Sequence, residues 1–207
     1  MRIIAGIHRG RQIAAPEGLT TRPMTDRVRE NLFNLLRGTV ADATVLDLFC
    51  GSGALGLEAM SRGAAFCLFV DSDRPALEMV EANRRLLRLV DRTRVVRHDC
   101  LRPGPWILPL SPGRFTLVFA DPPYKMTADP EGRCRLAAVA GALAALGAVE
   151  GGAVAMLRMK RGTPMDAPWP DWRVFDERAY GSTTLHLMEY GGARNAPGVP
   201  APEPSDP

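Results

Sequence analysis

The sequence predicts an α/β fold, built on a mostly parallel, seven-stranded sheet with helices on both faces. Apolar segments alternate with helical ones along the middle of the chain, and segments such as TVLDLF and FTLVFA are apolar along their whole length. Continuous apolar strands are typical of parallel sheets that are buried on both faces. The last two strands alternate apolar with polar residues instead, so we expect a terminal antiparallel hairpin at one edge of the sheet.

The chain begins with a predicted β-hairpin and helix. Residues 2–15 form two short strands around a His-Arg-Gly turn in this prediction, and Thr25 and Asp26 begin the helix. Residues 1–37 hold seven basic and three acidic side chains, a surplus of four positive charges, whereas the whole chain has a surplus of three. A basic segment on a near-neutral body is typical of an arm that binds a polyanion.

Strands and helices then alternate regularly. The predicted strands are 44–49, 66–70, 94–97, 115–120, 153–159, 173–180 and 183–190, and the predicted helices that follow the first one are 54–62, 75–89 and 135–147. Residues 191–207 are rich in proline and glycine and have almost nothing to bury, which predicts a disordered tail. The chain therefore divides into an amino-terminal extension (1–40), a main domain (41–190) and a tail (191–207).

Composition argues against several classes of protein. The four cysteines include no Cys-x-x-Cys pair and the three histidines do not cluster, so neither a zinc site nor a disulfide framework is predicted. No cationic start precedes an apolar stretch, and no run of about 18 uncharged apolar residues occurs. We expect a cytoplasmic protein that binds no metal ion and does not contact a membrane.

A glycine loop follows the first strand of the main domain. DLFCGSGALG places Gly51, Gly53 and Gly56 between a strand and a helix in the pattern G-x-G-x-x-G. Rossmann-like, doubly wound sheets bind nucleotides at such a loop. The loop alone is compatible with NAD, because Asp71 lies 20 positions after Gly51, where a dinucleotide-binding fold has its ribose-binding acid.

Acids at successive strand ends favour S-adenosylmethionine over NAD. Asp47 lies four residues before Gly51, where a carboxylate would attract an ammonium or sulfonium group and repel a pyrophosphate. Asp99 ends the third strand and is a candidate acceptor for an adenine amino group. The alternative, that Asp47, Asp71 and Asp99 are ordinary cap or turn residues, stays open at this point.

The fourth strand ends in DPPYK. Proline has a carbonyl and no N–H, so Asp121, Pro122 and Pro123 offer only hydrogen-bond acceptors. An exocyclic amino group on a nucleobase offers two donors, and Tyr124 offers a flat ring on which a base could stack. The segment therefore predicts a site for an amino nitrogen, with a proline-stiffened turn as the alternative.

Four segments of the chain resemble the RsmD family of bacterial methyltransferases. They are MRIIAG with RGR, TRPMTDRVRENLFNLL, LDLFCGSGALGLEAMSRGA and FADPPY, and with YGSTTLHL they span about residues 1–190. The second and third are specific to the family, whereas the glycine loop and DPPY alone are shared with many amino-methyltransferases. One departure is Met24, where the family pattern has threonine.

The resemblance implies a Rossmann-like class I methyltransferase fold and transfer of a methyl group from S-adenosylmethionine to the N2 of a guanine in 16S rRNA, of the guanine-966 type, with S-adenosylhomocysteine as product. It implies that the methionine part of the cofactor is held by Asp47, Gly51 and Gly53, the ribose by Asp71 and the adenine by Asp99, with Ser52 as a further cofactor-binding residue. It also implies that the catalytic residues, which contact the guanine, are Asp121, Pro122 and Tyr124.

The basic extension supplies the predicted RNA contacts. The candidate phosphate-binding side chains are Arg2, Arg9, Arg11, Arg22 and Arg29. The expected partner is 16S rRNA within the 30S subunit or an assembly intermediate, and the expected state is a monomer.

Three rival functions follow from the same motifs. A DNA adenine-N6 methyltransferase would use the acceptor segment equally well, but the sequence has no room for a separate target-reading domain. An NAD-dependent oxidoreductase is disfavoured by Asp47 and by the acceptor segment. A non-catalytic RNA-binding protein with a vestigial cofactor pocket is the third.

Overall fold

The computed structural model describes residues 1–15 and 24–192, so Arg22 and residues 193–207 of the predicted tail lie outside the described residues. The helices are α1 (Asp26–Leu35), α2 (Ala54–Ser61), α3 (Arg74–Leu86), α4 (Tyr124–Ala128) and α5 (Pro130–Ala145). The strands are β1 (Thr44–Leu48), β2 (Phe66–Asp71), β3 (Thr93–Arg97), β4 (Phe115–Ala120), β5 (Val149–Lys160), β6 (Trp172–Tyr180) and β7 (Thr183–Tyr190). Two 3₁₀ turns, Val90–Arg92 and Pro105–Leu110, precede β3 and β4.

The seven strands form one sheet in the order β3-β2-β1-β4-β5-β7-β6. The strands from β1 to β5 are parallel, and β7 pairs antiparallel with both β5 and β6. The strand order reverses between β1 and β4, and doubly wound sheets bind ligands at the carboxyl ends of such neighbouring strands. The predicted Rossmann-like fold, a mostly parallel seven-stranded sheet with a terminal antiparallel hairpin, is confirmed.

Each face of the sheet has its own core. One face packs against α1, α2 and α3, through side chains such as Leu57, Phe69 and Phe119. The other face packs against α5 and the loop before β6, through side chains such as Val118, Leu136 and Trp169. The central strands are therefore buried on both sides, as their uninterrupted apolar sequences predict.

The amino-terminal hairpin is shorter than predicted. Its two strands reduce to one antiparallel bridge, Arg2 with Gln12. Beyond this bridge, the backbone N–H groups of Ile4 and Ala5 donate to the carboxylate of Glu58 on α2, at 2.7 and 3.0 Å. Ile3 and Ile13 lie in the same core as α1 and α2, so the hairpin packs on the main sheet structure.

Two differences from the sequence prediction lie after β4. The prediction contained no α4, which starts at Tyr124, and it began α5 near residue 135 rather than at Pro130. The start of α5 has a clear signal, because Asp129 caps the helix by accepting from the N–H of Gly132 and proline occupies the first turn. Among the described helices, none is long and apolar enough to cross a bilayer.

Candidate active site

The candidate site lies at the carboxyl ends of β1, β2 and β4, with Asp47 at its centre. Asp47 is 1% exposed, and its Oδ2 accepts from the N–H of Gly56 at 2.9 Å. Its buried Oδ1 has no hydrogen-bond partner among the described residues. Burial raises the pKa of Asp47 well above its ordinary value; the Gly56 N–H opposes this, and the carboxylates of Asp121 and Asp71 add to it. A cation beside Oδ1 would satisfy this carboxylate.

The glycine loop runs from β1 into α2 with three left-handed residues. Phe49, Gly51 and Gly53 have φ values of 57°, 53° and 77°. Phe49 is the unusual member, since a bulky side chain in this conformation costs about 1–2 kcal/mol. A Cβ built on Gly51 would meet no heavy atom within 4 Å, so open space borders the backbone of the loop.

Gly56 is required by close packing. A Cβ built there would lie 2.4 Å from Cε1 of Phe69, 2.6 Å from Sγ of Cys67 and 2.9 Å from Oδ2 of Asp47. Only glycine lets the first turn of α2 come close enough to donate to Asp47.

The other two predicted cofactor acids lie along the same edge. Asp71 ends β2, and its Oδ2 accepts from the N–H of Gly51 at 2.9 Å, so this acid holds the glycine loop directly. Asp99 follows β3; its Oδ1 accepts from the N–H of Leu101 at 3.0 Å, and its Oδ2 lies 3.5 Å from Nε of Arg102. The structure therefore brings Asp47, Asp71 and the loop together, whereas Asp99 stands one strand further out.

The part of the site around Asp121 and Tyr124, which we call the target side, contains a contact that the sequence did not predict. Nη1 of Arg158 donates to Oδ2 of Asp121 at 2.8 Å, and Nε of Arg158 donates to the hydroxyl of Tyr124 at 3.3 Å. The Tyr124 hydroxyl in turn donates to Thr183 at 2.7 Å. The available signal was a single charged residue inside the apolar strand AVAMLRM, because a buried charge needs a partner.

Burial and ion pairing shift the pKa of Asp121 in opposite directions. Burial raises the pKa of Asp121, and the guanidinium of Arg158 opposes that rise through its charge and its hydrogen bond. The side chain of Asp121 is 23% exposed, so the carboxylate remains open to the site while it is paired.

A cleft of about 550 Å³ opens beside Tyr124, between α1 and the turn that joins β6 to β7. Tyr124 and Arg158 line it together with Met24, Thr25, Arg27, Val28, Asn31 and residues 179–183. This space is large enough for a nucleobase and is bordered by aromatic, hydroxyl, amide and cationic groups.

The predicted RNA-binding arginines divide into two groups. Arg2, Arg9 and Arg11 are exposed, although Nε of Arg2 also donates to Asp26 at 3.0 Å. Arg29 is 1% exposed; its Nη2 donates to the carbonyl of Arg2 at 2.5 Å and to Oδ1 of Asp26 at 3.1 Å. The prediction of a phosphate contact is therefore wrong for Arg29, because its guanidinium fixes the hairpin onto α1.

Asn83 on α3 joins the amino-terminal segment to the glycine loop. Its Oδ1 accepts from the N–H of Ala14 at 2.7 Å, and its Nδ2 donates to the carbonyls of Ala14 and Ser52 at 3.0 and 3.2 Å. Nothing in the helical pattern distinguished Asn83 from a surface residue, so only the folded structure identifies it. Within residues 1–15 and 24–192, no group of three or more His, Cys, Asp or Glu side chains is arranged to hold a metal ion.

Comparison with known proteins gives consistent results. The family model described as "Conserved hypothetical protein 95" matches residues 1–189. Ribosomal RNA small subunit methyltransferase D of Escherichia coli is 41% identical over 125 residues, which cover 60% of this chain and 61% of that protein. YlbH of Bacillus subtilis, which carries an rRNA methyltransferase name, is 42% identical over 125 residues, covering 60% of this chain and 67% of YlbH.

Among solved structures, yhhF of Escherichia coli, which carries a methyltransferase name, has a TM-score of 0.74 and 32% identity, covering 92% of this chain and 98% of that one. The alignments with the two curated relatives span about three fifths to two thirds of their lengths. The extent of the family match, together with the glycine loop and DPPY at adjacent strand ends, shows that the chain belongs to the conserved hypothetical protein 95 family, the RsmD family.

Proposed function

We propose that this protein transfers a methyl group from S-adenosylmethionine to the exocyclic N2 of a guanine in 16S rRNA. The observation that carries the proposal is the placement of two carboxylates at the ends of adjacent parallel strands. Asp47 and Leu48 of β1 pair with Phe119 and Ala120 of β4, so Asp121 follows at the same edge as Asp47. A site for a cationic cofactor thus lies next to a site for an amino group.

The cofactor side fits S-adenosylmethionine because of its unpaired acceptor. Oδ1 of Asp47 suits a positively charged ammonium or sulfonium group, and Gly51, Ser52 and Gly53 supply the backbone beside it. Asp71 and Asp99 are the residues proposed for the ribose and the adenine. When bound, S-adenosylmethionine would supply an activated methyl group, whose carbon the amine nitrogen would attack in line with the C–S bond, so that the N–C bond forms as the C–S bond breaks and S-adenosylhomocysteine leaves.

The residues of the chain hold and orient the amine. The Asp121 carboxylate and the Pro122 carbonyl accept from the two N–H groups of guanine N2, which directs the nitrogen lone pair out of the ring plane. Tyr124 provides a stacking face at the start of α4. The nitrogen loses one proton after the N–C bond has formed, and Asp121 is the base proposed to take it.

A thiol nucleophile is not needed for this reaction. Burial raises the pKa of Cys50 well above its usual range and that of Cys100 to about 12. Both cysteines therefore remain thiols at neutral pH, which agrees with direct transfer.

The RNA side of the proposal rests on exposed cations of the hairpin and of α1, of which Arg27 lines the cleft. Arg2, Arg9 and Arg11 on the hairpin and Arg27 on α1 are exposed. These side chains are proposed to contact phosphates of 16S rRNA, in the 30S subunit or its assembly intermediate, with the target guanine entering the cleft beside Tyr124. Arg22 belongs to the same proposal and lies outside the described residues. The protein is proposed to act as a cytoplasmic monomer without a metal ion.

The test is nucleoside analysis after incubation of the full chain with radiolabelled S-adenosylmethionine. One reaction contains small ribosomal subunits that lack the modification and a second contains duplex DNA; Asp121→Asn is the matched inactive control. The expected result is label in N2-methylguanosine from 16S rRNA. Label in N6-methyladenine of DNA would contradict the proposed substrate, 16S rRNA. Cofactor binding without any methyl transfer would contradict the proposal that the protein is an enzyme.

A further inference from the structure

Arg158 is a buried cation that contacts Asp121 and Tyr124 on the target side of the site. Its side chain is 8% exposed and lies on β5, where its neighbours Leu157 and Met159 are apolar and buried. The guanidinium pairs with Asp121 and lies 5.0 Å from the centre of the Tyr124 ring. Burying an arginine is costly unless charged partners compensate it, so this position demands an explanation.

Strand register accounts for the pairing. Ala120 at the end of β4 is the partner of Leu157 on β5, and the two strands are parallel. The next residues, Asp121 and Arg158, therefore lie next to each other just beyond the last β4–β5 residue pair. On the other side of β5, β7 supplies Thr183, which accepts from Tyr124 and donates to the carbonyl of Met159 at 3.2 Å.

The Watson–Crick edges of the two purines differ in what they present to a carboxylate. In guanine, N2–H₂ lies beside N1–H, so two donors point the same way. In adenine, N6–H₂ lies beside N1, whose lone pair is an acceptor. An ionised carboxyl only accepts and matches guanine, whereas a protonated one also donates and can bond to adenine N1.

We propose that Arg158 is a positioning residue that keeps Asp121 an acceptor-only carboxylate facing the amino group, and that it thereby favours guanine over adenine. The inference rests on the proposed function. Arg158 acts through Asp121 and Tyr124 and need not touch the base itself.

The charges around Asp121 support this role. Arg158 on β5 is the cation that faces it, Tyr124 on α4 is joined to the same guanidinium, and the Asp47 carboxylate lies on the adjacent strand β1. Burial raises the pKa of Asp121 and Arg158 opposes the rise. Removal of Arg158 should therefore raise that pKa further. Asp121 would then be protonated over a wider range of acidic and neutral pH.

The test compares pH profiles of methyl transfer to 16S rRNA for the wild type, Arg158→Gln and Arg158→Lys, with saturating cofactor. The acid limb of the Arg158→Gln profile should move to higher pH by about one unit or more, so that activity at pH 6 falls at least about tenfold further than activity at pH 8.5. Arg158→Lys, which keeps a positive charge, should show a smaller displacement. The yield of N6-methyladenosine relative to N2-methylguanosine should rise in Arg158→Gln.

The matched control is Arg173→Gln, which removes a guanidinium paired to Glu189 at 3.1 Å on the exposed face of β6. Its acid limb should coincide with that of the wild type. A uniform loss of rate at every pH in both Arg158 variants would overturn the inference and leave Arg158 with a purely structural role. If Arg158→Gln fails to fold, Arg158→Met, which also lacks the charge and keeps an unbranched apolar side chain, decides in its place, and an unmoved acid limb in that variant overturns the inference. Absence of N2-methylguanosine with the wild type would instead overturn the proposed function.

Discussion

The cofactor side and the target side of the site are assembled in different ways. On the cofactor side, Asp47 accepts from Gly56, nine positions away, and Asp71 accepts from Gly51, 20 positions away. On the target side, Asp121 pairs with Arg158, 37 positions away, and Tyr124 bonds to Thr183 across 59 positions. The first side depends on one loop and its two flanking strands, whereas the second needs β4, β5, β7 and α4 to be in place together.

This difference shows which perturbations should remain local. Loss of a group on the target side should remove turnover and leave cofactor binding intact, because the glycine loop does not depend on β5 or β7. Loss of a group on the cofactor side should affect binding and stability, because α2, β1 and β2 share one tightly packed core.

Asp121→Asn should have the largest effect and separate the two sides most clearly. The substitution removes the charge and the proposed base, so we expect the rate of methyl transfer to fall about 10²- to 10⁴-fold. The dissociation constant of S-adenosylmethionine, measured by calorimetry, should change little. Asp91→Asn, at an exposed residue before β3, is the control; nearly full activity of Asp121→Asn would refute its catalytic role.

Gly56→Ala should disable the cofactor side through packing. The new Cβ would meet Phe69 at 2.4 Å and Asp47 at 2.9 Å, so α2 must move away from β1. Overpacking of this kind costs about 1–3 kcal/mol, which urea unfolding would measure as a lower midpoint.

Gly113→Ala serves as the control for that variant, because a Cβ at Gly113 would meet no atom within 4 Å. If Gly56→Ala and the wild type unfold at the same urea concentration, α2 can move away from β1 without loss of stability, and close packing does not require glycine at this position.

Asp47→Asn should stabilise the cofactor-free protein while weakening cofactor binding. Because the folded pKa of Asp47 is raised above the ordinary 3.8, the wild type loses stability as pH rises from about the unfolded value toward the folded one. The amide has no proton to lose, so the melting temperature of the variant should exceed that of the wild type at pH 8 and approach it near pH 4.

The same change removes the negative charge proposed for the cofactor's cationic groups, so affinity for S-adenosylmethionine should fall about tenfold or more. Wild-type affinity should rise with pH, since a cation binds the ionised form of Asp47. Titration calorimetry at pH 6 and pH 8 checks both statements. An affinity that does not change with pH would show that the cationic group of the cofactor does not bind beside Asp47.

Arg9→Ala and Arg11→Ala should have the smallest effects. Each exposed side chain is expected to add about two- to fivefold to rRNA affinity, as isolated surface charges do. Each loss should also lower the slope of log affinity against log salt by about 0.7–0.9. Filter binding at several salt concentrations measures both, with the exposed Arg85→Ala on α3 as control. Equal losses for Arg85→Ala would indicate a nonspecific charge effect.

Features that depend on residues close together in the sequence were predicted correctly, whereas contacts between distant residues were missed. The seven strands were predicted within a few residues, since each carries its own apolar pattern. The glycine loop was recognised because its three glycines lie within six consecutive residues. The predicted β-hairpin is present but shorter than predicted, and Glu58, more than 50 positions away, accepts from two of its N–H groups. The phosphate contact predicted for Arg29 was wrong because charge alone does not reveal burial.

The sequence by itself determined the sheet, the loop beside Asp47 and the acceptor-only end of β4, because apolar periodicity, glycine and proline act through local backbone chemistry. Only the tertiary structure decided that Arg158 faces Asp121, that Asn83 joins Ala14 to Ser52, and that a cleft lies between α1 and the β6–β7 turn. These features arise where distant segments meet, since strand register and helix packing, rather than local propensity, set which side chains become neighbours.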